Sequence, residues 1–161
     1  MILKEMDKEH LIVFLTGGAR YLSARKEEIN ALNVFPVPDG DTGINMYLTI
    51  SSAVKNIENK SENADITKVV QNFSMGALMG ARGNSGVRLS QIFGGFAQGL
   101  RGKETINAHD LAAALQKGVD LSYKSVMKPV EGTILTVFRI ISAAANKYVK
   151  SDDDIIKMLE Y

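Results

Sequence analysis

Cysteine is absent from this chain of 161 residues. That absence excludes disulfides, thiolate metal sites and a cysteine nucleophile, and it fits a reducing cytoplasm. Histidine is scarce. His10 and His109 stand alone, and His109 follows Asn107, a candidate helix cap, so a surface or capping role is expected for it rather than catalysis. Charge of one sign does not accumulate, since 19 Lys and Arg against 18 Asp and Glu leave a formal charge of +1. A near-neutral chain carries no electrostatic footprint for nucleic acid or for an anionic membrane surface. Long apolar runs are missing too. No stretch approaches a transmembrane span, and Met1 to His10 is charged where a signal peptide would have its apolar core. The expectation is a cytoplasmic protein that is not integral to a membrane. With 45% hydrophobic and 23% charged residues, the composition is that of an ordinary globular domain with a sizeable core.

Familiar nucleotide motifs are missing as well. There is no Gly-x4-Gly-Lys-Ser/Thr, no Gly-x-Gly-x-x-Gly after a strand and no His-Arg-Asp. No alternating strand or βαβ rhythm is evident. What is present is helical periodicity almost throughout. The stripes are Leu11, Phe14, Leu15 and Leu22; Met46, Ile50, Ala53, Val54 and Ile57; Ile66, Val69, Val70, Phe73 and Ala77; Leu89, Ile92, Phe93, Phe96, Ala97 and Leu100; Leu111, Ala112, Leu115 and Val119; and Ile134, Leu135, Phe138, Ile141 and Tyr148. Gly17-Gly18 reads as a weak spot permitting close helix contact, Asn59 to Asn63 as a polar turn, Arg101-Gly102-Lys103 as a helix stop, and Asp152 to Asp154 as the start of one more helix. The pattern predicts one all-α domain, an antiparallel helical bundle of about six helices, with no linker dividing it.

The densest chemistry lies in Asn33-Val34-Phe35-Pro36-Val37-Pro38-Asp39-Gly40-Asp41-Thr42-Gly43-Ile44-Asn45. Pro36 and Pro38 stiffen the loop and bias Phe35 and Val37 toward extended geometry. Residues two apart in an extended segment point the same way, so Asp39 and Asp41 can converge on one point. Two carboxylates held that close call for a hard cation such as Mg²⁺, Mn²⁺ or Ca²⁺. The plainer reading is an Asx-rich turn in which Asp41 or Thr42 caps the following helix. The spacing is not that of an EF-hand, because Ile44 falls where that loop needs glycine.

A second loop, Gly80-Ala81-Arg82-Gly83-Asn84-Ser85-Gly86, places Asn84 and Ser85 where an N-cap belongs, before the Leu89 stripe. Glu131-Gly132-Thr133 opens a third helix. Helix starts offer free backbone N–H groups and the positive end of a dipole. If these starts share one end of the bundle, they can surround a polyanion, with the carboxylate-bound cation as counter-charge.

Taken together, Asn33 to Met46 (NVFPVPDGDTGINM), Gly80 to Gln91 (GARGNSGVRLSQ) and Lys128 to Val137 (KPVEGTILTV) resemble the nucleotide-binding domain of the DhaL family, also called the Dak phosphatase or DAK2 family. The chain is most like the branch found at the N-terminus of the bacterial fatty acid kinase ATP-binding subunit. The resemblance implies an all-α barrel of antiparallel helices with ATP and two Mg²⁺ at one open end. Asp39 and Asp41 match two of the family's acidic metal ligands and are the expected catalytic residues. The third ligand falls at Asn33, allowing one inserted residue, and here it is an amide with less charge. Thr42, Gly43, Ile44 and Asn45 match the phosphate-contacting helix start, Asn84 and Ser85 the second one, and Thr133 and Ile134 a segment beside the nucleotide. The family domain continues past Tyr161 into a closing Gly-rich, Asp-containing region, so this chain is expected to lack its closing segment.

The function so implied is a kinase domain that transfers the γ-phosphoryl group of Mg-ATP to a fatty acid presented by a separate fatty-acid-binding protein, giving an acyl phosphate. The full-length protein is expected to be homodimeric. Two alternatives stay open: a nucleotide-binding module inactive on its own, and a dihydroxyacetone-kinase-like phosphotransferase, against which the longer NVFPVPDGDTG form argues.

Overall fold

A computed structural model describes residues 1–60 and 62–161. Ser61, inside the turn expected from Asn59 to Asn63, lies outside the described residues. The described chain contains seven helices: α1 (Lys8–Leu32), α2 (Thr42–Glu58), α3 (Ile66–Met79), α4 (Gly83–Leu100), α5 (Ala108–Lys124), α6 (Ile134–Tyr148) and α7 (Ile155–Glu160). The all-α expectation therefore holds. One addition was not legible in the periodicity: a two-residue strand, β1 (Glu5–Met6), pairs antiparallel with β2 (Ile106–Asn107). Segments this short carry no alternation to read.

Each of the first six helices packs against the next, and α2 also meets α4. Short loops between packed neighbours make successive helices antiparallel. The starts of α2, α4 and α6 thereby gather at one end of the bundle, together with the loops that precede them. The expected stripes face inward. Ile50, Ala53, Val54 and Ile57 of α2 meet Val69, Val70, Phe73 and Ala77 of α3, and Leu89, Ile92, Phe96 and Leu100 of α4 are buried. Phe93 sets its ring edge-on to Phe73, centroids 4.8 Å apart. The α6 stripe is read less faithfully. Leu135 is buried, but Ile141 is 43% exposed, and Ile134 and Phe138 turn toward a cavity described below.

The tightest crossing is α4 on α5. A Cβ on Gly118 would lie 2.6 Å from the Ile92 carbonyl oxygen, one on Gly99 would lie 2.6 Å from the Ala114 α-carbon, and one on Gly95 would collide with the Lys117 carbonyl. Backbone meets backbone there, so these positions exclude any side chain. Gly17 and Gly18 behave differently from the expectation. They lie within the unbroken α1 and face open space, with nothing within 4 Å of a Cβ at either. They mediate no close contact.

At the opposite end the two chain termini are tied together. Asp154, 2% exposed, caps α7 and accepts the Leu3 N–H at 3.1 Å, while the Ile155 N–H donates to the Leu3 carbonyl at 2.8 Å. Asn107 forms a reciprocal capping box with Asp110 at the start of α5, as its position predicted.

The two kinds of glycine should respond oppositely to the same substitution. Gly17→Ala should raise unfolding stability by about 1 kcal/mol, the helix-propensity difference. Gly95→Ala should lower it by about 1–3 kcal/mol through overpacking at the α4–α5 crossing. Urea midpoints measured for the two variants check the pair.

Candidate functional site

The three loops at the shared end enclose a cavity of about 1100 Å³. Asn33, Asp39, Asp41, Thr42 and Asn45 line it from the α1–α2 loop and the start of α2. Gly83, Asn84, Ser85 and Arg88 line it from α4, and Lys128, Val130, Thr133, Ile134 and Phe138 from the α5–α6 loop and α6. Of the residues expected at the site, Gly43 and Ile44 are the two that do not face this cavity. Gly43 is buried with its α-carbon against the Lys26 carbonyl of α1, and Ile44 turns outward, 38% exposed.

The three helix starts are not equivalent. At α2, the donors left over by the helical pattern are largely used. Asn33, from the end of α1, accepts the N–H groups of Asp41 at 3.1 Å and Thr42 at 3.3 Å through its Oδ1, and Asn30 Oδ1 accepts the Ile44 N–H at 3.1 Å. The Asn33 amide also donates to the Val37 carbonyl at 3.0 Å, bracing the proline loop from within. Asp41 occupies the N-cap position, yet its side chain makes no capping bond. The capping role that an Asx turn would assign to Asp41 is thus carried by α1. Asp39 and Asp41 are both exposed, and neither carboxylate has a hydrogen-bond or ion-pair partner among the described residues.

At α4 the situation is reversed. Arg82, not Asn84 or Ser85, is the N-cap, and it offers no side-chain bond to the first turn. Gly83, Asn84 and Ser85 are the first helical residues and line the cavity. Their N–H groups have no partner among the described residues. Two close approaches hold this start against α2: a Cβ on Gly83 would strike the Asn45 amide, and one on Gly86 would strike the Thr49 hydroxyl. Thr49, fully buried, donates to the Asn45 carbonyl at 2.8 Å and accepts the Arg82 N–H at 3.1 Å. At α6, Thr133 caps its own helix by accepting the Leu135 N–H at 3.3 Å.

The α5–α6 loop is braced by Glu131. Its carboxylate accepts the Tyr123 hydroxyl at 2.9 Å, the Thr136 hydroxyl, and Arg139 Nη2 at 3.1 Å. The Thr136 hydroxyl, then Arg139 and Tyr123, hold its pKa below the ordinary value. A carboxylate depressed in this way contributes stability that is present above its unfolded pKa, about 4.3, and lost as pH falls through the folded value. The brace is therefore intact at neutral pH.

Arg88, Lys128 and Asn30 were not anticipated as site residues. Arg88 lies one turn into α4 beyond the open donors, and Lys128 opens the KPVEGT segment; both sit inside motifs already singled out. Asn30 has only its spacing from Asn33, two amides on one face at the end of a helix, to betray it.

This is an all-α domain with an uncapped helix start and two unpaired carboxylates in one cavity. The DAK2 domain family matches residues 36–161, and the chain belongs to that family. It is 47% identical over 159 residues to Protein YloV of Bacillus subtilis (strain 168), covering 99% of this chain and 29% of that protein. It is 50% identical over 144 residues to the uncharacterized protein SH1689 of Staphylococcus haemolyticus, covering 89% of this chain and 26% of that one. A 48% match to the uncharacterized protein SAUSA300_1119 of Staphylococcus aureus (strain USA300) has the same coverage, 89% and 26%. The chain thus spans less than a third of the length of these relatives. DAK2 domains are kinase-related, nucleotide-binding modules associated with ATP-dependent phosphotransfer. Among the described residues no helix is long and apolar enough to cross a membrane.

The capping pattern predicts a graded response. Asn33→Ala, which frees the Asp41 and Thr42 donors and the Val37 carbonyl together, should lower stability by about 1–2 kcal/mol. Asn30→Ala, freeing one donor, should cost about half as much. Thermal melts of the unliganded variants decide the order.

Proposed function

We propose that this domain binds Mg-ATP in the cavity at the shared end of the bundle and acts in transfer of its γ-phosphoryl group to a fatty acid carboxylate. The observation that carries this reading is the pairing of an uncapped α4 start with two unpartnered carboxylates in the same cavity. An anion belongs on the free donors of Gly83, Asn84 and Ser85. A cation belongs on Asp39 and Asp41.

Among the described residues no group of three or more acidic or histidine side chains gathers to hold a metal. That donor set suits Mg²⁺ bound with a nucleotide, because this ion takes one or two carboxylates and fills its remaining positions with water and phosphate oxygens. Asp39 and Asp41 would hold it, two ions being the number the family pattern implies, with Asn33 beside them. When bound, the ion would supply positive charge against the phosphates. The chain's own residues do the rest. The α4 N–H groups orient the phosphates, with Thr42 and Asn45 facing them across the cavity. Arg88 and Lys128 bring positive charge to the same space. Val130, Ile134 and Phe138, with Thr133 beside them, offer the apolar wall that a base needs to exclude water.

The acceptor is the one the family resemblance implies, and the cavity agrees with it, since among the described residues no histidine lines it. A carboxylate acceptor is already ionised and needs no base: its oxygen takes the phosphoryl group, ADP leaves, and an acyl phosphate results. Val34, Phe35 and Val37, exposed at 73%, 54% and 50%, form an apolar rim that supports docking of a fatty-acid-binding partner. A second reading, nucleotide binding without turnover in this chain alone, is favoured by its span of 29% or less of its relatives. The closing segment expected beyond Tyr161 would then complete the site.

The experiment is calorimetric titration with ATP in the presence and absence of Mg²⁺. Asp39→Asn and Asp41→Asn should each weaken binding at least about tenfold with Mg²⁺ present while leaving the melting temperature within a few degrees of wild type. Undiminished Mg-ATP binding in both variants would remove the metal assignment. Ser85→Pro, which deletes one of the open donors, should weaken ATP binding more than Ser85→Ala, which leaves them all in place. In a protein extended past Tyr161, ATP should dissociate more slowly than from this chain. Equal off-rates by stopped flow would show that the added segment is not a lid.

A further inference from the structure

Glu131 takes no part in the site just proposed, since its side chain does not line the cavity. It is nevertheless the most heavily bonded carboxylate outside the helix caps among the described residues. It draws one donor from α5, Tyr123, and two from α6, Thr136 and Arg139. The chain of bonds continues into the backbone. Thr136 Oγ1, while donating to Glu131, accepts the Gly132 N–H at 2.8 Å, and the Thr133 hydroxyl donates to the Val130 carbonyl at 2.7 Å. Gly132 is thereby fixed with φ at +79°, a conformation that side chains disfavour.

The fixed glycine meets the proline loop. A Cβ added to Gly132 would lie 3.6 Å from Phe35 Cε1 and 3.7 Å from Cδ1, so the Phe35 ring faces the side of Gly132 from which a side chain would project, about a methyl group away. Phe35 and Pro36 belong to the loop that carries Asp39 and Asp41. From within, that loop is braced by the Asn33 bonds; on its outer edge Val34, Phe35 and Val37 are all at least half exposed, and Gly132 of the α5–α6 loop is a neighbour of the Phe35 ring.

We propose that Glu131 is a positioning residue for the metal-and-nucleotide loop, acting through Gly132 and the Phe35 ring. The proposal rests on the reading of the cavity as an Mg-ATP site for its effect on ligand, but not for its effect on the loop. Without the carboxylate, Thr136 and Gly132 lose their anchor, the surface beneath Phe35 moves, and the loop holding Asp39 and Asp41 is left with only its α1 brace.

The test is amide hydrogen exchange on the unliganded protein, combined with stopped-flow release of Mg-ATP. Asp39 and Asp41 are the reporting amides, because each is hydrogen-bonded within the proline loop. Glu131→Ala should speed exchange at 39–41 by about tenfold while α3 and α4 exchange as in wild type. Phe35→Ala, which leaves the Glu131 bonds untouched, should reproduce that increase. Glu131→Gln, which keeps an acceptor for Tyr123 or Thr136 but loses the charge facing Arg139, should fall between. Mg-ATP release should quicken in the same order by about three- to tenfold. Wild-type exchange at 39–41 in Glu131→Ala, with faster exchange confined to 130–136, would overturn the proposal. So would a rise in Glu131→Ala that Phe35→Ala fails to share. A wild-type protein that binds no Mg-ATP would defeat the proposed function, and the exchange measurement would still decide the coupling.

Discussion

Asn30 and Asn33, one helical turn apart at the end of α1, occupy two of the donors that α2 would otherwise leave open. The arrangement of the site depends on that capping from a neighbouring helix. A helix start preceded by an aspartate-rich loop normally recruits the aspartate itself as a cap. Here the amide does it, and Asp41 sits at the cap position with its carboxylate unspent. A neutral cap also leaves the local charge to Asp39 and Asp41, so the loop keeps its geometry while both carboxylates stay without a partner among the described residues.

The same economy explains why three helix starts at one end do three different things. The α2 start is closed by α1, the α6 start by its own Thr133, and the α4 start stays open because Arg82 reaches no donor in its first turn. What holds α4 in place is contact rather than capping: Gly83 and Gly86 let its first turn lie against Asn45 and Thr49 of α2. The glycine-rich loop thus brings a helix start close to the aspartate loop without covering its donors. Placement and capping have been separated: the helix start with open donors is set by close packing and by the Arg82 N–H bond to Thr49, neither of which uses those donors.

Much of the fold was legible because helical periodicity is redundant: each stripe repeats its message over several turns, as Val69, Val70, Phe73 and Ala77 do on α3. The strand pair was not, since two residues cannot express a period. The Gly17-Gly18 expectation failed for a related reason. A glycine pair in a helix reads the same whether it permits contact or merely faces solvent, and only the neighbouring helix distinguishes them. At the site, the residue types and their loops could be named in advance, but not which donors were already taken. Gly43 and Ile44 lie in the right helix start and face away from the cavity, because their orientation depends on Lys26 and Asn30 of α1, residues outside the motif. Asn33 could be matched to a ligand position, while its bonds to Asp41, Thr42 and Val37 became visible only once the loop was folded.

The knot of Leu3, Asp154 and Ile155 places the beginning of the first helix beside the start of the last, at the pole remote from the cavity. Leu3 and Asp154, 151 positions apart in sequence, are thereby joined on the far side of the bundle from the cavity-lining loops, so the bonds that close the fold there are separate from the bonds that shape the cavity.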